Sequence, residues 1–520
     1  MYDADLGILA TVNNMPEGFI STTQVPDEIN RCCGVDGVNR PRPGHDLIAT
    51  IANCTRVNGI CHFQNNIFII AATVSGQPKW YSLNNTTLTD ITTGFGVSPA
   101  FNVNNPVIMD QGLTAVYVCW GGAGLYKWSG VSWSTISIGT SPITSQPVIP
   151  AAVDYFAGSV TVTEVGTNVV YFSNLLNDAS WDPINLSVQL DQFLQDNVTG
   201  MAPWQGFNII VFKNTSVWSV ASNPTLILTS PSISRANEPV NRISNTIGCC
   251  NHRTIAQIDN DILFLSESGR GVYSVGQIAT NQQQAIKNNI SLAIKGYIDR
   301  INWQAISVAY AVAWDDLYIL HVPLDGATAN NATLVYCVSL GTWQGIWNGY
   351  NSTAGCRQDS GNISNRYIYG DNAGNIFSHY HQQDQIYVDT IAGNLGTGIP
   401  YFSQITSRGY RFDQETNLIQ PFNVVLELVN TLVPVTVQIL ADQNLVGSTH
   451  NIQPQSVAGS VLPVILPFVL AGAGVNKGAV SARDAGICSQ IQAQISGNGQ
   501  WEIIKISPSA WVSRGTINAS

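Results

Sequence analysis

The 520-residue chain carries 22 Lys and Arg against 33 Asp and Glu, a formal net charge of −11, and only 11% charged residues, under half the usual quarter. This balance excludes an electrostatic nucleic-acid binder, which needs clustered Lys and Arg to displace counterions. It leaves a surface covered largely by Asn, Gln, Ser, Thr and Gly, which resists self-association poorly and suits a subunit packed against other copies.

At this length two to four domains are expected. Residues 1–18 (MYDADLGILATVNNMPEG) lack a basic region and a long apolar run, so no signal peptide is expected. The ten cysteines then read as reduced thiols, and sequons such as Asn185, Asn197 and Asn214 as a by-product of Asn and Thr abundance. The first marked feature is the turn cluster INRCCGVDGVNRPRPGH (29–45), a stiff connector that presents Arg40 and Arg42.

From residue 46 to 381 strand follows strand. NNIFIIAATV (65–74), LTAVYVCW (113–120), NVVYFSN (168–174), DDLYILHVPL (315–324) and NRYIYGDNAGNIFSHY (365–380) are examples. Each is rich in Val, Ile, Tyr, Phe and Trp and bounded by Gly, Asn, Asp or Ser, the pattern of antiparallel strands. Aromatic-bearing hairpins recur at roughly 40–55 residues, the spacing of propeller blades. The fold class predicted is therefore all-β, a β-propeller of about six or seven irregular blades. Between Trp128 and Ser234 the only basic side chain is Lys213. One helix is expected at 284–301 (QAIKNNISLAIKGYIDRI), where Ile286, Ile290, Ile294, Tyr297 and Ile301 share a face. A short one is expected near 186–195.

From residue 382 the strands lengthen and alternate better, as in QPFNVVLELV (420–429) and VPVTVQILADQ (433–443). They predict a second, β-sandwich-like domain over 382–520, completed by the N-terminal arm 1–45 because chain ends often lie close together. The apolar run 461–475 (VLPVILPFVLAGAGV) is short of a membrane span and contains Pro463 and Pro467, so it reads as a buried or interfacial strand pair and no integral membrane insertion is expected.

Catalytic equipment is sparse. There is no G-x-S-x-G elbow, no H-E-x-x-H motif and no P-loop; in GAGVNKG (472–478), Lys477 is not followed by Ser or Thr. His379 and His381 would share one face of a strand, but no partner follows at zinc-like spacing, and solvated histidines are expected. The pairs Cys32–Cys33 and Cys249–Cys250 lack redox or zinc spacing and read as small buried residues, while Cys54 and Cys61 would pair across a hairpin only in an oxidising setting. Asp259/Asp261 and Asp315/Asp316 read as hairpin-turn residues rather than a glycosidase pair. Trp128, Trp133, Trp343 and Trp347 are expected in blade cores, with sugar stacking as the other reading. No catalytic residue, cofactor or metal is predicted.

Four blocks, RPRPGH (40–45), VVYFSNLLNDASWDP (169–183), GFNIIVFKNTSVWSV (206–220) and IGCCNHRTIAQIDNDILFLSESGRGVYSVG (247–276), occur in that order and are followed by TLVYCVSLGTWQGIW (333–347). Together they resemble the tail nozzle family of short-tailed bacteriophages, also called tubular tail or packaged-DNA stabilisation proteins. The resemblance spans 40–377, and past residue 382 only ITSRGYRF (405–412) shares it.

The resemblance implies a structural virion protein rather than an enzyme. It would be a β-propeller subunit of a hexameric ring below the portal and its adaptor ring, made in the host cytoplasm and located in the phage tail. The ring would continue the DNA channel, retain the packaged genome and serve as the exit conduit. Expected partners are further copies of the chain, the portal-adaptor ring, tail fibres or tail tip proteins, and double-stranded DNA passing without tight binding. Arg31, Arg40 and Arg42 are the candidate adaptor interface, with solvated loop arginines as the plain alternative; replacing Arg40 and Arg42 by Ala is expected to weaken docking without unfolding the chain. The rival reading is a carbohydrate-binding or carbohydrate-cleaving β-propeller such as a receptor-binding tail protein, although no Ser-x-Asp-x-Gly-x-x-Trp repeat supports it.

Overall fold

The structure, a computed structural model, describes residues 10–11, 24–25, 27–33, 38–122, 124–191, 196–205, 208–221, 239–280, 289–358, 365–381, 384, 386–390, 398–410, 418–429, 431–453, 476–483 and 487–513. They fall into two compact units. One comprises Asp46–Thr333 and Gly349–His379; the other comprises Met1–His45, Leu334–Asn348 and Tyr380–Ser520.

The first unit is a β-propeller, and its local logic is the hairpin. Ser75–Gly76 and Ala157–Gly158 are two-residue turns with both φ values positive (49° and 73°, 48° and 82°), the geometry whose twist matches that of paired strands. Asp259 and Asp315 likewise hold left-handed φ values of 50° and 51° at hairpin turns, as their sequence setting predicts. The strands between such turns pair in register with their neighbours. Ile67–Val74, for example, pairs along its whole length with Gln77–Asn84.

Seven blades follow one another. The innermost strand of each comes first in its blade: Cys54–Phe63, Ile108–Gln111, Pro150–Phe156, Val198–Trp204, Ala256–Ile258, Tyr310–Trp314 and Ser352–Gln358. Each packs beside the next, and the seventh packs beside the first, which closes the ring. Blades one, two and four have four consecutive strands, and blade five has three among the described residues. In blade three Asn177–Trp181 and Ser187–Gln189 both pair with Val169–Asn174. Blade seven, Ser352–Gln358, Arg366–Asp371 and Asn375–His379, takes its outer strand from the other end of the propeller sequence, the segment running to Thr50. A sheet face this apolar is buried by its neighbour: Trp80, Phe101, Val118, Trp128 and Trp133 fill the seam of blades one and two, and Phe212, Phe264 and Tyr273 that of blades four and five.

The second unit has two sheets on one core. Arg31–Cys33, Asn39–Pro41, Glu502–Ser513, Leu418–Val429 and Asn476–Ser481 form one; Thr342–Trp347, Asp27–Ile29, Phe402–Thr406, Ile491–Asn498, Val435–Ala441 and Asn444–Ile452 lie in the other. Val435–Ala441 alternates buried and half-buried residues strictly, and its inward Val435, Val437 and Ile439 meet Leu426, Ile495, Trp501 and Ile503 in the shared core. The segment Leu334–Asn348 belongs to this unit, although its strand pattern is indistinguishable from that of the blades around it.

The helix expectations need correction. Residues 281–288 lie outside the described set, and the rest of 284–301 forms a 3-10 turn, Leu292–Ile294, and a single α turn, Lys295–Ile298. Ile294, Tyr297 and Ile301 are buried as the spacing requires, but the described helical turns are short. Near residue 186 the chain forms the strand Ser187–Gln189 instead, because Val188 fills the apolar seam of blades three and four. The run 461–475 lies outside the described residues.

Candidate functional site

The inner strands surround an axial channel, and every strand runs through it in the same order. Two cavities divide it. The first, of about 170 Å³, is lined by residues early in the strands and just before them, including Gly59, Val107, His252, Arg253, Tyr310 and Ala354. The second, of about 280 Å³, is lined by later residues, including His62, Asp110, Gln111, Gln257, Ala313 and Arg357. Backbones approach closely here: a Cβ on Gly59 would lie 2.6 Å from the Val107 carbonyl oxygen, so only glycine fits.

The two ends differ in charge. Toward the wider end Asp110 and Asp154 meet from neighbouring inner strands. Burial and then the adjacent Asp110 carboxylate push the Asp154 carboxyl well above the usual carboxylate range. Asp110 also accepts from the Tyr155 backbone N–H at 2.5 Å. The same cavity holds Arg357.

At the narrow end stand Arg253 and Arg56. The Arg253 guanidinium donates to the Thr353 carbonyl at 2.6 Å and lies 5.2 Å from the Tyr310 ring centroid. Arg56 donates to the Asn104 carbonyl at 2.9 Å, and its buried Nε has no partner. Burial, then the nearby Arg56 charge, lower Arg253 to about 10; burial lowers Arg56 as well. His252 accepts from the Met201 N–H through Nδ1 at 3.4 Å. Burial first, then Arg253, hold it at about 4, so it is neutral with its proton on Nε2.

The three arginines named from the sequence are placed differently from the solvated-loop picture. Arg31 is 0% and Arg42 1% exposed. Arg31 lies 3.6 Å over the Trp501 ring and donates to the Asn39 carbonyl at 2.7 Å. Arg42 packs over Tyr401 at 3.9 Å and forks onto Asp389, with Nη1 to Oδ1 at 3.0 Å. Both are covered by other parts of the chain, and Arg42→Ala would leave the mostly buried Asp389 carboxylate unpaired. Arg40 alone keeps 21% side-chain exposure, 3.6 Å from Glu502.

His45 completes this group. Its Nδ1 lies 3.2 Å from Asp389, yet burial outweighs Asp389 and, with Arg42 opposing protonation too, holds the imidazole at about 4. Asp389 already pairs with Arg42, so the His45 contact is not an ion pair at neutral pH.

Other expected candidates resolve simply. His379 is 4% exposed and stacks on Tyr367 at 5.1 Å and 4°, so it is not solvated, and its strand ends before His381. No group of three potential metal ligands occurs among the described residues. Cys54 and Cys61 lie on the same strand, so no hairpin juxtaposes them; none of the ten cysteines forms a disulfide. Trp128, Trp133, Trp343 and Trp347 are buried at 3%, 2%, 1% and 0% exposure, which leaves them no face for a sugar. Asp261 accepts from the Gly276 N–H at 2.8 Å and from the Ser274 hydroxyl, a capping role that needs no chemistry. Asp110, Asp154, Arg56 and Arg253 escape a motif search; their signal is a charge in or beside a short apolar strand that opens a blade.

The chain matches no protein-family model and no curated protein sequence. Among solved structures it is similar to BamB from Moraxella catarrhalis, with 11% identity, a TM-score of 0.35, and 68% of this chain and 91% of that one covered. It is also similar to BBS1N in complex with ARL6DN (10% identity, TM-score 0.39, 65% and 95% covered) and to YCF48 bound to D1 peptide (9%, 0.38, 65% and 95%).

Proposed function

We propose that this propeller protein is a structural subunit of a phage tail nozzle, a ring of six copies that continues the DNA channel, retains the packaged genome and conducts it out at ejection. One observation carries the reading. The described parts of three family-like blocks each form a hairpin within consecutive blades: Val169–Asn174 with Asn177–Trp181, the third and fourth strands of blade three, and Asn208–Lys213 with Val217–Ala221 and Asp261–Ser266 with Gly271–Ser274, the second and third strands of blades four and five. The resemblance thus follows the repeating architecture rather than scattered loops.

Charge is consistent with a conduit. With 33 acidic against 22 basic residues, a lumen built from such surfaces lets a polyanion slide without holding it. The cavities described along the propeller's own channel are small, about 280 and 170 Å³, and in this reading the passage for a duplex lies among several copies. Arg40 remains a candidate contact for an adaptor.

Negative-stain imaging and native mass measurement of the purified protein, alone and with a portal–adaptor complex, test the proposal. A sixfold ring with a central opening is the expected result. A protein that stays monomeric in both samples and is retained on a glycan array would overturn it.

A further inference from the structure

We propose that the narrow end of the propeller's axial channel binds a small phosphate-type oxyanion between Arg56 and Arg253. This site is independent of the tail reading.

The argument is one of unbalanced charge. Both arginines are half-buried, Arg253 lines the cavity of about 170 Å³, and the two are close enough for Arg253 to feel the Arg56 charge. Their hydrogen bonds go to backbone carbonyls only: Arg56 to Asn104, and Arg253 to Thr353 and, at 3.5 Å, to Val308. Among the described residues neither forms an ion pair, although the chain has 33 acidic residues to draw on. Elsewhere the same protein pairs its inward cations, as Arg42 with Asp389 and Lys127 with Asp178. Two like charges partly withdrawn from water without a counter-ion are unfavourable, and an anion from solution would offset that cost.

The geometry selects the class of anion. A guanidinium fork matches carboxylate or phosphate oxygens. Here His252 and Arg253 line the cavity, and Arg56, whose Nε–H has no partner, stands close enough for its charge to act on Arg253. Donors arriving from three residues in different directions are better met by the oxygens of a tetrahedral oxyanion, spread in three dimensions and carrying more charge, than by the coplanar pair of a carboxylate. The cavity of about 170 Å³ is below the roughly 300–1,000 Å³ typical of drug-sized ligands, which favours orthophosphate or the terminal phosphate of a small monoester.

Calorimetric titration of the full chain at constant ionic strength tests this with inorganic phosphate, ribose 5-phosphate and acetate. Saturable binding of inorganic phosphate with 1:1 stoichiometry, at least tenfold tighter than acetate, is expected; Arg56→Met and Arg253→Met should each weaken it at least tenfold. Binding of ribose 5-phosphate as well would identify the ligand as a monoester-type phosphate, and its exclusion would identify free phosphate. Melting gives a second readout that survives if the Arg253 variant fails to fold: in chloride the Arg56 variant should melt above the wild type, because a repulsion is gone, and in phosphate the order should reverse. Absence of saturable phosphate binding by the wild type, or wild-type affinity in the Arg56 variant, overturns the proposal.

Discussion

At the scale of the residue, this protein hides charge and titratable groups rather than displaying them. His45, His252 and His321 are held at about 4, about 4 and about 3 by burial, and His321 is further fixed by the Tyr367 hydroxyl at 2.7 Å and that of Thr333 at 2.8 Å. Each is neutral in the folded state and protonated in the unfolded chain below about pH 6.5. The unfolded state therefore binds more protons between these values, and stability rises with pH there. Acidifying from pH 7 toward 4 should remove up to about 3 kcal/mol for each histidine. Asp154, whose folded carboxyl is raised, works in the opposite sense but is one group against three. Urea midpoints that fall steadily from pH 7 to 4.5, with a smaller fall for His321→Gln, are the expected result; a flat profile would contradict it. The Arg42–Asp389 fork offers a second test. Arg42→Met should cost about 3–5 kcal/mol by leaving Asp389 unpaired, and Asp389→Asn in the same chain should recover part of that loss. A wild-type midpoint for Arg42→Met would show that the fork contributes nothing.

At the scale of the element, closure of the ring depends on blade seven borrowing a strand from the start of the propeller. Gly374 sits at this join with φ of 83°, where a Cβ would come within 2.4 Å of Cys54 Cβ and 2.6 Å of the Ile51 carbonyl oxygen. Gly76 has a similar φ of 73° but open space around it. Gly374→Ala should therefore cost about 2 kcal/mol or more, against about 1 kcal/mol for Gly76→Ala; equal losses would show that the join is loose. The blades are legible in the sequence because their hairpins state themselves locally, through aromatic alternation and turn residues such as Asp259 and Asp315. The assignment of Leu334–Asn348 to the second unit is not legible, since a strand's text does not say which sheet it joins. The helix near Leu186 fails for a related reason: the apolar residues there answer to a seam between blades, not to a helical period. The charged channel residues are equally hidden, because Arg56 and Arg253 come together only when blades one and five face a common axis.

At the scale of the whole molecule, the propeller unit is nearly continuous in sequence, whereas the other unit gathers three separate segments. A chain ending at residue 381 keeps every segment of the propeller but loses Trp501, Asp389 and the strand Glu502–Ser513, against which the N-terminal arm packs. Limited trypsin digestion of that truncation should leave the propeller whole and cut after Arg31, a bond protected in the full chain; an uncut arm would show that it has other support. The same arrangement sets a clock during synthesis. Arg31 and its partner Trp501 are 470 positions apart. At about 5–20 residues per second, the arginine leaves the ribosome roughly 24–94 s before the ring that will cover it. Throughout that interval the guanidinium is hydrated and the arm is open, while all seven blades are made and can close. Completion of the second unit thus waits for the last of its three segments, well after the blades have been made, and any partner that reads that unit reads molecules whose propeller is already synthesised.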